Sequence, residues 1–193
     1  MTDGLVRTFF AIDLGPGARA AARAAVQELR DAPGGDEVRW VRPEGLHVTL
    51  HFLGDIEWAQ APPLARSVGE AVRGIEPFHL ELGAARRFPS ARRPRVVALE
   101  VQPAEPLSAL AAAVGQGLLR EGIEPENRPF RAHLTLGRIR RGAGPDPRGV
   151  EVTASTAVDE IVLFRSELLR SGARYTPLER VGFGHPSFKR KES

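Results

Sequence analysis

The chain reads as an α+β protein built from two similar lobes that arose by internal duplication. Three observations predict this. Strands and helices alternate in the same order twice along the 193 residues. Phe9 and Val96, in matching aromatic or branched strands, are 87 apart, and His47 and His133, in a second matching pair, are 86 apart. One repeat of this length fits a two-lobed domain better than a solenoid.

The elements follow in order. Arg7 to Leu14 (RTFFAIDL) has the composition of a strand. Pro16 opens an alanine-rich helix running to Arg30, where proline's missing N–H costs nothing. Ala32 to Asp36 is a loop, Val38 to Val41 a short strand, and Leu46 to Leu53 a further strand closed by Gly54. Asp55 is expected to cap a helix reaching about Arg73, with Pro62 and Pro63 in its first turns. Phe78 to Leu82 alternates as a strand.

The order then restarts. Arg95 to Val101 is a strand, Pro106 to Arg120 a helix, and Phe130 to Ile139 a strand. Val158 to Phe164 and Tyr175 to Val181 are expected as the last strands. The lobes are expected to come from roughly residues 7–90 and 91–183, with interleaving allowed. The basic tail 184–193 is expected to be disordered.

Composition removes several chemistries. The absence of cysteine excludes disulfides, thiolate nucleophiles and cysteine-based zinc sites. No apolar run approaches the roughly 20 residues of a membrane span, and no export signal opens the chain, so a cytoplasmic location without membrane partners is the default expectation. The net charge of +3 does not by itself argue for nucleic-acid binding. Of the 27 basic residues only Lys189 and Lys191 are lysines, a bias that codon usage alone can produce.

The chemistry concentrates in a pair of H-x-T-L motifs, His47-Val48-Thr49-Leu50 and His133-Leu134-Thr135-Leu136. In a strand, residues two apart share a face. His47 and Thr49 therefore point one way while Val48, Leu50 and Phe52 point to the core. Arg131, His133 and Thr135 likewise share a face. With five histidines and seven threonines, two such motifs are roughly a 1% event under shuffled composition. Their matched place in both halves is a further coincidence that shuffling does not supply. The plain reading is two histidines packed at a sheet surface. The functional reading is two imidazoles, one accepting and one donating a proton, beside two hydroxyls that hold phosphoryl oxygens. Such a site suits displacement at phosphorus, and the residues present require no metal.

These motifs bring out a resemblance that spans nearly the whole chain. The sequence resembles the 2H phosphoesterase superfamily, and within it the bacterial RNA 2′,3′-cyclic phosphodiesterases, also described as 2′-5′ RNA ligases. The matching segments are R-x-F-F-A-I-D-L at Arg7 to Leu14, L-H-V-T-L at Leu46 to Leu50 with F-L-G at Phe52 to Gly54, R-V-V at Arg95 to Val97, R-P-F-x-x-H-L-T-L at Arg128 to Leu136, and R-Y-T-P-L at Arg174 to Leu178.

The resemblance implies two antiparallel sheets lining a central cleft, with helices outside. It implies hydrolysis of RNA or nucleoside 2′,3′-cyclic phosphates to 2′-phosphomonoesters, without cofactor; a monomer is the separate expectation, which the sequence itself does not fix. His133 is then the base and His47 the acid, although the symmetry of the pair leaves these roles interchangeable at the level of the residues, and they reverse in the ligation direction. Thr49 and Thr135 would hold the non-bridging oxygens. Ligation of cleaved RNA halves shares the same site, and a silent RNA-binding module is the reading from another class.

Several positions stay open. The family often has proline before the second histidine, where this chain has Ala132. Arg131 is a candidate phosphate ligand or a solvated surface residue. Arg86 to Arg95, with five arginines in ten residues, either rims the cleft for RNA or is a charged turn. His51 shares the expected face of His47 and Thr49. Either Phe9 or Phe10 is a candidate for stacking on a terminal base. His79 and His185 have no partner motif.

Overall fold

A computed structural model describes residues 4–126, 128–169 and 172–184. The expectation for the 184–193 tail falls almost wholly outside these residues, as does His185. The described residues form nine strands and three α-helices: β1 (Leu5–Asp13), α1 (Pro16–Asp31), β2 (Val38–Trp40), β3 (His47–Glu57), α2 (Ala61–Val72), β4 (Phe78–Phe88), β5 (Val96–Gln102), α3 (Ala104–Arg120), β6 (His133–Ile139), β7 (Glu151–Val158), β8 (Glu160–Leu169) and β9 (Gly172–Gly182). No helix among the described residues is long and apolar enough to cross a membrane.

All strand pairings are antiparallel, in the order β7-β4-β5-β6-β3-β1-β8-β9, with β2 pairing β6. The two expected sheets are two halves of this order. They meet at one bridge, Val48 opposite Leu134. The chain interleaves: β2 and β4 pair into the half that holds β6, while β8 and β9 extend the half that holds β3.

Alternation sends one set of side chains into a core shared with the helices. Phe10, Ile12, Val48, Leu99, Leu134 and Ile161 all belong to it. The helices exchange partners: α1 follows β1 but packs on β7, whereas α3 follows β5 but packs on α2 and β3. Gly117 makes the α2–α3 approach possible, since a β-carbon there would lie 2.6 Å from the Val68 backbone. A smaller apolar cluster of Phe9, Ala11, Val162 and Phe164, capped by Tyr175, covers the helix-free face of β1 and β8.

Five elements differ from the sequence reading. Asp55 does not cap a helix. Gly54, at φ +76°, lets β3 continue, and Asp55 pairs with Arg7 of β1. The following helix starts six residues later, after a short turn in which Glu57 and Gln60 form a capping box. The strand expected to end at Leu82 runs on to Phe88 across a register shift, because Ala85 to Phe88 keep pairing with β5. Glu151–Val158, too polar to read as a strand, forms the outer strand β7 against β4. Val158 therefore closes β7, and β8 begins at Glu160. Phe130 to Ala132 precede β6 rather than opening it.

Candidate active site

The site is built at the bridge between the halves. Val48 and Leu134 are fully buried beneath the helices. The residues beside them in the two strands must face the other way. His47 and Thr49 thus share the helix-free face with His133 and Thr135. Antiparallel register, continued one residue each way from the bridge, sets His47 toward Thr135 and Thr49 toward His133. The structure brings together the four residues that the motifs singled out, and all four are half-buried.

Each ring is oriented by the same device. His47 Nδ1 donates to the Gly45 carbonyl at 2.8 Å, and His133 Nδ1 donates to the Arg131 carbonyl at 2.8 Å. A carbonyl only accepts, so Nδ1 carries the proton in the neutral ring. Nε2 keeps its lone pair for chemistry.

The surroundings differ. His47 lies 4.7 Å from the Phe9 ring and 5.0 Å, edge-on, from Tyr175. Burial among these rings pulls its pKa down to about 4; the Gly45 hydrogen bond and the Asp13 charge oppose the shift, and Arg19 and Arg138 add to it. Asp13 stands directly opposite His47 on β1 and is paired with Arg19 at 2.5 Å. The same Arg19 guanidinium donates to the Pro43 and Leu46 carbonyls, so it clamps the turn that supplies Gly45.

His133 stacks on Phe88 at 4.1 Å. Its pKa is also lowered, first by burial and then by Arg131 and Arg138, against the hydrogen bond to Arg131. Glu100 stands opposite on β5 and is held by Arg86 at 2.9 Å. A cavity of about 260 Å³ opens here, lined by Arg86, Arg87, Phe88, Glu100, Arg131 and His133.

Arg131 reaches this cavity from the irregular segment before β6. Its guanidinium carbon lies 4.7 Å above the Phe88 ring. Of the Arg86 to Arg95 group, Arg86 and Arg87 line the cavity, and Arg87 also holds the Gly144 and Pro145 carbonyls. Arg92 and Arg93 are exposed in the turn.

His51 does not share the face of His47. The β1–β3 register shifts between Phe10 and Ala11, so β3 carries an extra residue and its alternation inverts. His51 turns to the helices and its Nε2 donates to the Ala111 carbonyl of α3 at 2.8 Å. The same inversion turns Phe52, expected in the core, to the helix-free face, where it is 46% exposed and 5.7 Å from Phe9. Phe9 rather than Phe10 lies on the site's face, yet at 1% exposure it is covered and cannot stack on a base. His79 lies exposed on β4, away from the motifs. Among the described residues no group of three or more His, Asp or Glu is placed to hold a metal ion.

One residue escaped the sequence reading. Arg138 follows a matching shift in β6, between the partners Val97 and Ala98, and so turns to the helix-free face. Its charge acts on both imidazoles. Strict alternation placed it on the wrong face, and no motif marked the bulge.

The LigT-like phosphoesterase pattern matches residues 12–98 and again residues 97–175. The chain belongs to this family. Each match of the LigT-like pattern contains one H-x-T motif. Among its relatives is the RNA 2′,3′-cyclic phosphodiesterase of Methanothermobacter thermautotrophicus, 35% identical over 90% of this chain and 97% of that protein. The Escherichia coli protein of the same name is 36% identical over 90% of this chain and 94% of its own length. Solved structures of the family superpose well. A Thermus thermophilus protein matches with a TM-score of 0.78 at 30% identity, covering 91% of this chain and 97% of that one. E. coli LigT complexed with 3′-AMP matches at 0.75 and 30%, covering 94% and 100%.

Proposed function

We propose that this chain hydrolyses RNA or nucleoside 2′,3′-cyclic phosphates to 2′-phosphomonoesters, as a monomer and without a metal ion. The observation that carries the reading is the set of two imidazoles, each anchored through Nδ1, and two threonine hydroxyls on one face of the sheet at a single bridge. The names of the relatives and the 3′-AMP complex of E. coli LigT support the substrate class.

In the proposed step a water attacks phosphorus while His133 Nε2 takes its proton. The P–O3′ bond breaks, and His47 Nε2–H delivers a proton to the departing O3′. The ribose 2′-oxygen keeps the phosphate. Thr49 and Thr135 donate to the non-bridging oxygens, where charge accumulates. Both rings are biased toward the neutral form in the free protein. That suits the base directly. The acid gains its proton as the anionic phosphate arrives, because a nearby negative charge favours imidazolium.

Product analysis on an oligonucleotide ending in a 2′,3′-cyclic phosphate, with chelator present, tests the proposal. The expected product is a 2′-phosphate. A 3′-phosphate, or activity abolished by the chelator and restored by metal, would overturn the corresponding part.

A further inference from the structure

Arg39 and Arg138 face each other directly across the β2–β6 pair. Their neighbours fix the face. Val38 is buried in the helix-side core, Trp40 packs on it, and a β-carbon on Gly137 would run into both. The two arginines therefore project from opposite positions on the helix-free face, and both are exposed. Like charges directly opposite in a ladder are destabilising. An intervening carboxylate normally relieves them, and elsewhere this chain supplies one: Arg86, Arg141, Arg148, Arg174 and Arg180 each hold an acid.

No such acid serves this pair among the described residues. The nearby Glu37 turns its carboxylate to the backbone N–H groups of Ala143 and Gly144, and Asp36 is taken by Arg141. Arg39 Nη2 lies 3.6 Å from where a β-carbon on Gly172 would be, at the start of β9 in the other half. Arg39 thus reaches across to the other half. Arg138 is three residues beyond Thr135, roughly 10 Å along an extended strand. An anion held between these two backbone positions lies further along β6 than one held by the threonines, with Arg138 close enough to act on the imidazoles as well. A nucleotide offers a second anion at that kind of separation, one ribose away from its 2′,3′ oxygens.

We propose that Arg39 and Arg138 form a second anion site that holds the phosphate on the 5′ oxygen of the terminal nucleotide. The site rests on the hydrolase reading above for what occupies the first subsite. Its consequence is selectivity: a nucleotide bearing a 5′-phosphoryl group is preferred over one with a free 5′-hydroxyl. Two planar forks suit two pairs of phosphate oxygens.

Binding to the whole chain tests this without turnover. Calorimetric titration compares adenosine 2′-monophosphate with adenosine 2′,5′-bisphosphate. The bisphosphate is expected to bind tighter by about tenfold. Arg39→Gln and Arg138→Gln should each shrink that ratio toward one, and Arg39→Lys should restore part of it. A ratio near one in the wild type, which needs no variant to fold, overturns the proposal. So does a ratio unchanged in Arg39→Gln. A dinucleotide ending in a 2′-phosphate, whose 5′ phosphate is a diester, separates the sources. Equal tightening assigns the site to RNA ends; tightening by the monoester alone assigns it to free nucleotides. Absence of cyclic-phosphate turnover with the ratio intact overturns the hydrolase reading alone, and binding of neither ligand overturns both.

Discussion

His47 is enclosed by Phe9, Phe164 and Tyr175, with its supporting turn clamped by Arg19, whereas His133 stacks on Phe88 at the mouth of an open cavity. Beneath this difference the register is the same. Ala11 stands opposite Thr49 and Ala98 opposite Thr135; Asp13 stands opposite His47 and Glu100 opposite His133. Beyond the shared bulge the halves part company. The pair Phe9–Phe52 in one is matched by Val96–Arg138 in the other. The duplicated positions that would act on phosphorus are retained, and those further out have become apolar on one side and cationic on the other. A substrate with a polar end and an aromatic end meets a site with the same polarity.

The comparison can be broken most sharply at the rings. His47→Ala and His133→Ala should each lower turnover of a 2′,3′-cyclic nucleotide by about a thousandfold, the scale of general acid–base catalysis. Residual activity within tenfold of wild type in either variant would sink the two-histidine mechanism. Thr49→Val and Thr135→Val should follow, each lowering kcat by about ten- to a hundredfold. Steady-state kinetics on both variants would sharpen the comparison, since unequal losses identify the half that carries more of the developing charge.

A smaller effect is expected at the clamp. Arg19→Met removes charged hydrogen bonds to Asp13 and to the turn before His47. It should cost about 1–3 kcal/mol in denaturant unfolding. Among the described residues no equivalent clamp holds the backbone before His133, where Arg131 Nη1 donates to the Pro89 carbonyl at 3.3 Å.

The pH dependence of stability distinguishes the rings further. His47 titrates at about 4 in the folded chain and near 6.5 when unfolded. Between those values the unfolded state binds more protons, so stability rises with pH across that window and is lost as the pH falls through it. Thermal unfolding of His47→Gln should show a flatter profile from pH 6.5 to 4. An unchanged slope would remove burial of a neutral His47 as its source. Least of all, Arg131→Ala should raise KM by a few fold, because its guanidinium is exposed and already engaged with Phe88.

Much of this was legible in the sequence because period-two alternation and the repeat spacing are local signals. They located both H-x-T strands, the helices and the face shared by His47, Thr49, His133 and Thr135. What escaped depends on pairing partners. The bulges that turn His51 inward and Phe52 and Arg138 outward exist only because β1 and β5 impose their own register. The polar strand β7 is held by β4, which no composition rule reveals. Asp55 has the look of a helix cap, but pairing with β1 keeps it in the strand.

The exchange of helices has an evolutionary consequence. With α1 seated on β7 and α3 on α2 and β3, a chain carrying a single repeat would lack the surface that its first helix covers. A second copy would supply it in a swapped homodimer, each copy lending its helix to the other about an axis near Val48 and Leu134. One motif per gene would then have furnished both imidazoles from two molecules. Fusion freed the copies to diverge, and Phe52 against Arg138 records that freedom.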